Sequence, residues 1–360
     1  MTSTDPRVED DLGLAARIAL IALVCSIVAA VLARSLGGAF VYDDLLLVQR
    51  NPAFGSWSAL AHALGGAHWD FVEPEQAARI GYWRPLTVFA LFVANKLGGG
   101  TPAGFHGMSL ALHLGSTVVV FALARRMLSP YGCNALVAAA TALLFGLHPV
   151  QVESVAWISA LNDPLAGLAQ FGALLAFLNW RERGSRGVPL AAALCFALAL
   201  LAKESAIAFV ALAALVDFTR TLQSGERRCA SLARAYVPLA LVVVGYWLAR
   251  AIVFGDAGAG FDRVTSYLFL SRPREITLRI ELLGGALALL AWPAQLNLFR
   301  EVRPEIPADD AQLWIAVLAL VLTALASWIA WRKHARITLF ALLMIPASLF
   351  PAVLSIRSIG

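Results

Sequence analysis

The sequence predicts an all-α, polytopic membrane protein with about nine transmembrane helices and a long first extracytoplasmic loop. Of its 360 residues, 60% are hydrophobic and only 14% are charged, whereas soluble domains are about 45–50% apolar and about 25% charged. The apolar residues form runs suited to a hydrocarbon core of about 30 Å. The composition therefore argues against a soluble enzyme, a disordered chain and a nucleic-acid-binding module. The net charge of +5 is expected to orient the helices.

Several apolar runs are interpreted as crossings of the bilayer. They are residues 18–36, 103–123, 135–147, 165–180, two crossings within 188–218, 236–254, 313–331 and 337–350. Arginine-rich loops at 125–126 and 181–186 fall on one side, which the positive-inside rule places in the cytoplasm. Residues 148–163 contain no Lys or Arg and are expected outside. The first run has an acidic flank, which favours an uncleaved anchor over a signal peptide.

The run 188–218 is too long for one comfortable helix, and both of its flanks are basic. Only a hairpin leaves both flanks on the cytoplasmic side. Lys203 and Glu204 are the only adjacent charged pair within the run. They are therefore expected to form the turn, at the outer edge of the membrane.

Two long segments are expected on the outer face. Residues 37–101 form the first loop, in which apolar stretches at 57–64 and 86–94 are too short to span the bilayer and are predicted to lie on its surface. Residues 255–310 form the second large loop, and its short apolar run at 282–292 is predicted to be interfacial or re-entrant. Residues 1–360 are assigned to one membrane domain. Because the chain stops directly after a crossing, we expect it to be the front part of a longer protein.

Polar residues gather at the predicted outer ends of the helices. They are Asp43, Asp44, Arg84, His148, Glu153, Asn162, Asp163, Lys203 and Glu204. A secondary transporter is expected to carry charges near mid-membrane and related repeats, and the sequence shows neither pattern. The distribution favours a reaction centre at the membrane surface, facing a large loop.

Each of these groups also has a structural interpretation. Asp43 and Asp44 are suited to cap a short helix at 45–50, or to act as a general base and its neighbour. Arg84 suits either a snorkelling position or a phosphate contact. The remaining residues suit a polar turn, a helix start at Asn162–Asp163 and a turn ion pair between Lys203 and Glu204. The spacing of His148, Glu153 and Asp163 does not support a metal cage, and the use of a divalent ion stays open.

The order of the motifs is more specific than any one of them. FVYDDLLLVQRNP, YWRPLT, FHGMSLALHLGS, LLFGLHPVQVESVAW, LNDPLA and LAKESAI, followed by FDRVTSY and LLAWPAQLNLF, resemble the membrane half of the transmembrane and tetratricopeptide-repeat-containing O-mannosyltransferases. The resemblance covers residues 40–352 and implies the GT-C glycosyltransferase fold. The resemblance does not extend to the family's repeat domain and later crossings. Asn162 also stands where many relatives carry an Arg.

The resemblance implies a role for each motif. Asp43 corresponds to the catalytic base, with Asp44 beside it, and Arg84 to a contact with the lipid phosphate. Lys203 is the second available cation for the donor phosphate, and Lys203–Glu204 matches a Lys-Glu pair of the family. His148, Glu153 and Asp163 match its second outer turn, with less defined roles.

The resulting expectation is an inverting glycosyltransferase in the cell (inner) membrane. It moves mannose or another hexose from a polyprenyl-phosphate carrier to an acceptor hydroxyl on the extracytoplasmic face. The acceptor is a protein Ser or Thr, or another lipid or polysaccharide. The partners are the bilayer, the lipid-linked donor and the acceptor, with no nucleic acid and no covalently bound cofactor. A transporter or flippase of lipid-linked sugars and a non-catalytic scaffold remain the alternatives.

Overall fold

The computed structural model describes residues 12–72, 81–128, 134–224, 229–256, 272–293, 296 and 310–354. All regular elements in these ranges are helical, which confirms the all-α class. The α-helices are α1 (Leu14–Leu32), α2 (Trp57–Leu64), α3 (Pro85–Leu97), α4 (Pro102–Leu128), α5 (Ala135–Leu147), α6 (Gln151–Ala156), α7 (Asn162–Glu182), α8 (Leu190–Ala202), α9 (Ala208–Ser224), α10 (Cys229–Phe254), α11 (Arg272–Ala291), α12 (Asp310–Arg332) and α13 (Arg336–Leu354). Short 3-10 turns at Ile158–Leu161 and Glu204–Ile207 precede α7 and α9.

Five helical segments of the described chain are long and apolar enough to cross a membrane. They are Leu14–Gly37, Pro102–Leu128, Ile158–Glu182, Ser231–Phe254 and Leu313–Arg332. Helices α5, α8 and most of α13 are apolar but shorter. These segments confirm the prediction of a multi-pass membrane protein, whereas the number of nine crossings stays a prediction.

The reversal predicted at Lys203 is present. Helix α8 ends there with an extended residue (φ −156°, ψ 132°), and Lys203 contacts Asp163 near the start of α7. Farther along α9, Asp217 contacts Arg181 near the end of α7. Since α9 therefore runs from the first end of α7 toward the second, the chain folds back after α8.

The largest core cluster joins α7, α8, α9 and α10 through aromatic side chains. Phe177, Phe196 and Phe209 are fully buried, and the ring of Phe209 lies 5.1 Å from that of Phe196 and 6.4 Å from that of Phe177. Lipid tails are as apolar as these rings, so tight packing rather than transfer from water holds such helices together. The cluster fixes the relative positions of the helix ends that carry the polar residues.

The first loop is packed onto the bundle. Leu47, Phe54 and Leu60 join Phe92 of α3 and Phe105 of α4 in a second buried cluster. The predicted helix 57–64 matches α2, and the predicted helix 86–94 lies within the longer α3. The packing gives the loop fixed contacts with α3 and α4, and its position relative to the membrane surface stays a prediction.

The apolar run 282–292 belongs to a longer helix than the sequence indicated. Helix α11 has 20 residues, about 30 Å at 1.5 Å per residue, so the short length inferred from the run was wrong. A Cβ on Gly284 would lie 2.2 Å from the Cβ of Ala316, which shows how closely α11 and α12 approach. Charged residues fill the first half of α11, and it is not among the five segments suited to span a membrane.

Candidate active site

Asp44 is a buried carboxylate that ties the first loop to the turn before α7. Its Oδ2 accepts from Val41 N at 3.1 Å, and its Oδ1 accepts from Ser159 N at 2.8 Å and from Ser159 Oγ at 2.5 Å. It makes no side-chain cap to the turn Leu45–Gln49, so the helix-capping interpretation was wrong for this residue. The hydrogen bonds assign Asp44 a positioning role.

Asp43, the neighbour of Asp44, is exposed. Partial burial of its carboxyl group and the adjacent charge of Asp44 raise the pKa of Asp43 above its ordinary value. A raised pKa brings a carboxylate closer to the proton affinity that a general base needs at neutral pH. The two adjacent carboxylates therefore lie in different environments, one tied down and one accessible.

Arg84 lies at the start of α3 and points toward Glu204, on the turn before α9. Its Nε donates to Glu204 Oε2 at 3.1 Å, while Glu204 Oε1 accepts from Trp83 N at 3.3 Å. The guanidinium carbon also lies 4.0 Å from the centre of the Tyr82 ring. Glu204 thus holds both the backbone and the side chain of the Trp83–Arg84 unit.

Asn162 connects Arg84 with the Asp44 side of the site. The hydrogen-bonding capacity of its amide is met when the nitrogen donates to Ser159 O at 3.1 Å and Ala160 O at 3.3 Å, and the oxygen accepts from Arg84 Nη1 at 3.1 Å. A continuous path of hydrogen bonds, the polar network, therefore joins Asp44, Ser159, Asn162, Arg84 and Glu204.

Lys203 forms an ion pair with Asp163, one residue from Asn162. The two side chains are 29% and 37% exposed, so the pair is open to solvent. Lys203 and Glu204 each pair with a different helix, and the interpretation of these two residues as a turn ion pair was wrong. The two contacts instead draw the starts of α3 and α7 together around the turn after α8.

The remaining two predicted residues are His148 and Glu153. His148 Nε2 lies 3.1 Å from Leu290 O at the end of α11, and His148 Nδ1 accepts from Val150 N at 3.3 Å. Glu153 is exposed on α6. The structure thus brings together the motifs around Asp44, Arg84, Asn162–Asp163 and Lys203–Glu204, whereas His148 connects its turn to α11.

The structure adds residues that the sequence did not single out. His68 is buried, and its backbone N donates to Tyr82 O at 2.8 Å. Burial and the nearby charge of Arg84 lower the pKa of His68 to about 3, so its ring is neutral at physiological pH. Arg250 Nη2 donates to Gly81 O at 2.7 Å. A single arginine near the end of an apolar run was the available signal for Arg250, and no sequence signal marked His68.

Metal binding by the protein would require several His, Cys, Asp or Glu side chains close together. Within the described ranges, no group of three or more His, Cys, Asp or Glu side chains is placed to hold a metal ion.

The helices suited to span a membrane and the polar network at their ends place the chain among helical membrane proteins with a polar site at the helix ends. Comparison with known proteins is more specific. The chain is 31% identical over 209 residues to Protein O-mannosyl-transferase Tmtc2 of Drosophila melanogaster. It is 35% identical over 200 residues to Protein O-mannosyl-transferase Tmtc1 of the same organism, and 31% identical over 224 residues to Protein O-mannosyl-transferase TMTC4 of Homo sapiens.

These matches confirm the resemblance found in the motifs. They cover 56%, 54% and 55% of this chain, and 22%, 22% and 28% of the respective relatives. The chain thus spans less than a third of the length of these curated relatives. No family model matches the chain, and no solved structure matches it at a significant level.

Proposed function

We propose that this chain forms the membrane part of a glycosyltransferase that moves mannose or another hexose from a polyprenyl-phosphate carrier to a protein Ser or Thr hydroxyl on the extracytoplasmic face. The polar network is the observation that carries the proposal. It joins four motifs that lie far apart in sequence, and one of them carries the exposed Asp43 next to the buried Asp44. The names of the relatives support sugar transfer to a protein as the reaction class. Because the matches cover only part of each relative, sugar transfer by this chain is tested directly below.

Asp43 is the proposed general base. A Ser or Thr hydroxyl is a weak nucleophile at neutral pH, and a carboxylate within about 2.6–3.2 Å can take its proton during attack. The acceptor oxygen then bonds to the anomeric carbon as the bond from that carbon to the phosphate oxygen breaks. The products are the glycoside, with inverted configuration, the polyprenyl phosphate and a protonated Asp43.

Arg84 and Lys203 are the proposed contacts of the leaving phosphate. A guanidinium has five N–H donors and an ammonium three, and the described contacts use one donor at Arg84 Nε, one at Arg84 Nη1 and one at Lys203 Nζ. Glu204, Asn162 and Asp163 therefore orient the two cations and leave donors for a phosphate. Placed donors of this kind stabilise charge that develops in the transition state.

Sugar transfer in reconstituted membranes tests the proposal. We would offer polyprenyl-phosphate mannose and glucose, each radiolabelled, with Ser/Thr-rich peptides, and compare the wild-type protein with Asp43→Asn. Asn keeps the shape of Asp but cannot accept the proton, so we expect a loss of about 10²–10⁴-fold in rate with donor binding retained.

The control is Asp70→Asn, a carboxylate of the same loop that accepts from Ala67 N and has no proposed contact with substrate. Equal transfer by wild type and Asp43→Asn would contradict the assignment of the base. A wild-type protein that binds the donor and transfers no sugar would contradict the enzyme and favour a flippase of lipid-linked sugars.

A further inference from the structure

The segment that leads into Arg84 has no regular structure of its own. Gly81 has a positive φ of 69°, and helix α3 begins only at Pro85. Neighbouring elements therefore have to fix the direction in which Arg84 leaves the backbone. From the first loop, His68 N donates to Tyr82 O at 2.8 Å and Leu64 O accepts from Trp83 Nε1 at 3.1 Å.

Helix α10 also contacts this segment. Arg250 Nη2 donates to Gly81 O at 2.7 Å. Tyr246, one turn earlier on α10, packs against Trp83 with ring centres 5.6 Å apart. Residues four apart face the same side of a helix, so the two side chains form a single contact surface for residues 81–83.

The burial of Arg250 indicates more than a snorkelling role. The residue is 3% exposed and lies within the candidate span Ser231–Phe254, where a charged side chain is costly and usually tied to function. Its guanidinium also lies over the rings of Trp247 and Phe254, at 5.1 and 5.2 Å. These contacts hold the charge among rings and aim one of its donors at the Gly81 carbonyl.

We propose that Arg250, supported by Tyr246, is a positioning residue that fixes residues 81–83 so that Arg84 faces the phosphate of the lipid-linked donor. This inference rests on the proposed function of Arg84. It assigns Arg250 no contact with substrate. Its influence on the reaction is transmitted through the Gly81 carbonyl and the stacked Trp83.

A double-mutant cycle tests this mode of action. Arg250→Leu is expected to lower kcat/KM for the donor about 10- to 100-fold, since a displacement of about 1 Å can cost a catalytic group that much. Arg250→Lys keeps a donor for Gly81 O and is expected to retain more of the activity. In an Arg84→Ala background, Arg250→Leu should cost less than about twofold, because residues that act through one contact are not additive.

Arg332→Leu is the matched control. Arg332 also lies near a tryptophan of its own helix, 5.8 Å from the Trp328 ring, but it is exposed and distant in sequence from the site. We expect wild-type transfer from this variant. A full additional loss from Arg250→Leu in the Arg84→Ala background would instead mean that Arg250 contacts the donor itself, and would overturn the positioning role.

Hydrogen exchange gives a readout that does not depend on sugar transfer. Peptides covering residues 81–84 should exchange faster in Arg250→Leu than in the wild type, while Arg250→Lys and Arg332→Leu should leave the exchange unchanged. Unchanged exchange in Arg250→Leu would overturn the inference. Faster exchange in a protein whose wild type transfers no sugar would support the fixing of the segment and contradict the proposed function alone.

Discussion

Two clusters of ion pairs lie at opposite ends of helix α7 and differ in how open they are. At the end next to the arginine-rich loop 181–186, Arg181 pairs with Asp217, with side chains 8% and 13% exposed. Asp217 also accepts from Tyr236 Oη at 2.9 Å, and Arg181 Nη1 donates to Ser231 Oγ at 2.6 Å. At the other end, the pairs Lys203–Asp163 and Arg84–Glu204 are 29%/37% and 13%/22% exposed.

Ion pairs of the same residue types therefore serve two purposes in this protein. A buried pair is a poor source of net stability, yet removal of one partner leaves a buried charge and costs about 3–5 kcal/mol. The Lys203–Asp163 pair, the most exposed of the three, should lose less when broken, because water can replace the partner. The Arg181 cluster therefore suits a connection between α7, α9 and α10, and the Arg84–Lys203 cluster suits a site that receives a charged ligand.

The largest effect on stability is expected at the Arg181 cluster. Arg181→Leu removes the cation that contacts the Asp217 carboxylate, so the free energy of unfolding should fall by about 3–5 kcal/mol. The control is Arg183→Leu, an exposed neighbour, which should change it by less than about 0.5 kcal/mol. Thermal unfolding in detergent measures both. Equal stability of the two variants would show that the Arg181 cluster does not hold the helices.

The largest effect on activity, after that of Asp43→Asn, is expected at Arg84. Arg84→Ala removes one placed donor from the leaving phosphate and should lower kcat about 10²–10³-fold. Arg84→Lys should lose less, since it keeps the charge but not the forked donors. Steady-state transfer with matched amounts of folded protein measures the loss. A wild-type rate in Arg84→Ala would remove this residue from the mechanism.

A smaller loss is expected from Lys203→Met. The ammonium of Lys203 is more exposed than the guanidinium of Arg84, so water can replace part of its interaction with phosphate. We therefore expect kcat/KM for the donor to fall about tenfold, which corresponds to about 1.4 kcal/mol. The unfolding free energy should change by no more than about 1 kcal/mol. A large loss of stability with unchanged kcat/KM would show that Lys203–Asp163 is a structural pair and would contradict its assignment to the donor site.

The smallest effect concerns pH. The base must be ionised, so activity should be present above the pKa of Asp43 and fall as the pH is lowered through it. Because burial and Asp44 raise this pKa, the acidic limb should lie above the ordinary range of an Asp. Asp44→Asn removes one of the two causes and should move the limb to lower pH, as rate profiles of folded protein would show. A shift to higher pH would contradict the assignment of Asp43.

Much of the framework could be predicted from charge and apolar length. The turn at Lys203 followed from two basic flanks, and the gathering of Arg84, Asn162 and Glu204 followed from the placement of all three at one end of the bundle. The length of α11 could not be predicted, because its charged first half hides the helix from a search for apolar runs.

The detailed contacts depend on packing between distant segments. Sequence could not tell which carboxylate of Asp43 and Asp44 is buried, since this depends on the position of Ser159, 115 residues from Asp44. In the same way, the contact of His148 with Leu290 joins residues 142 positions apart. The hydrogen bond of Arg250 to Gly81 likewise spans 169 positions, so the sequence alone does not indicate it.

Stabilisation by the donor tests the contrast between the two clusters most directly. A ligand that binds only the folded protein raises its unfolding temperature, and the rise grows with the logarithm of the ligand concentration divided by Kd. Polyprenyl-phosphate mannose should raise the Tm of the wild type and of Arg181→Leu, whose starting Tm is lower, and should give little or no shift in the double variant Arg84→Ala/Lys203→Met. A wild-type shift in the double variant, or no shift in Arg181→Leu while it is still folded, would contradict the account.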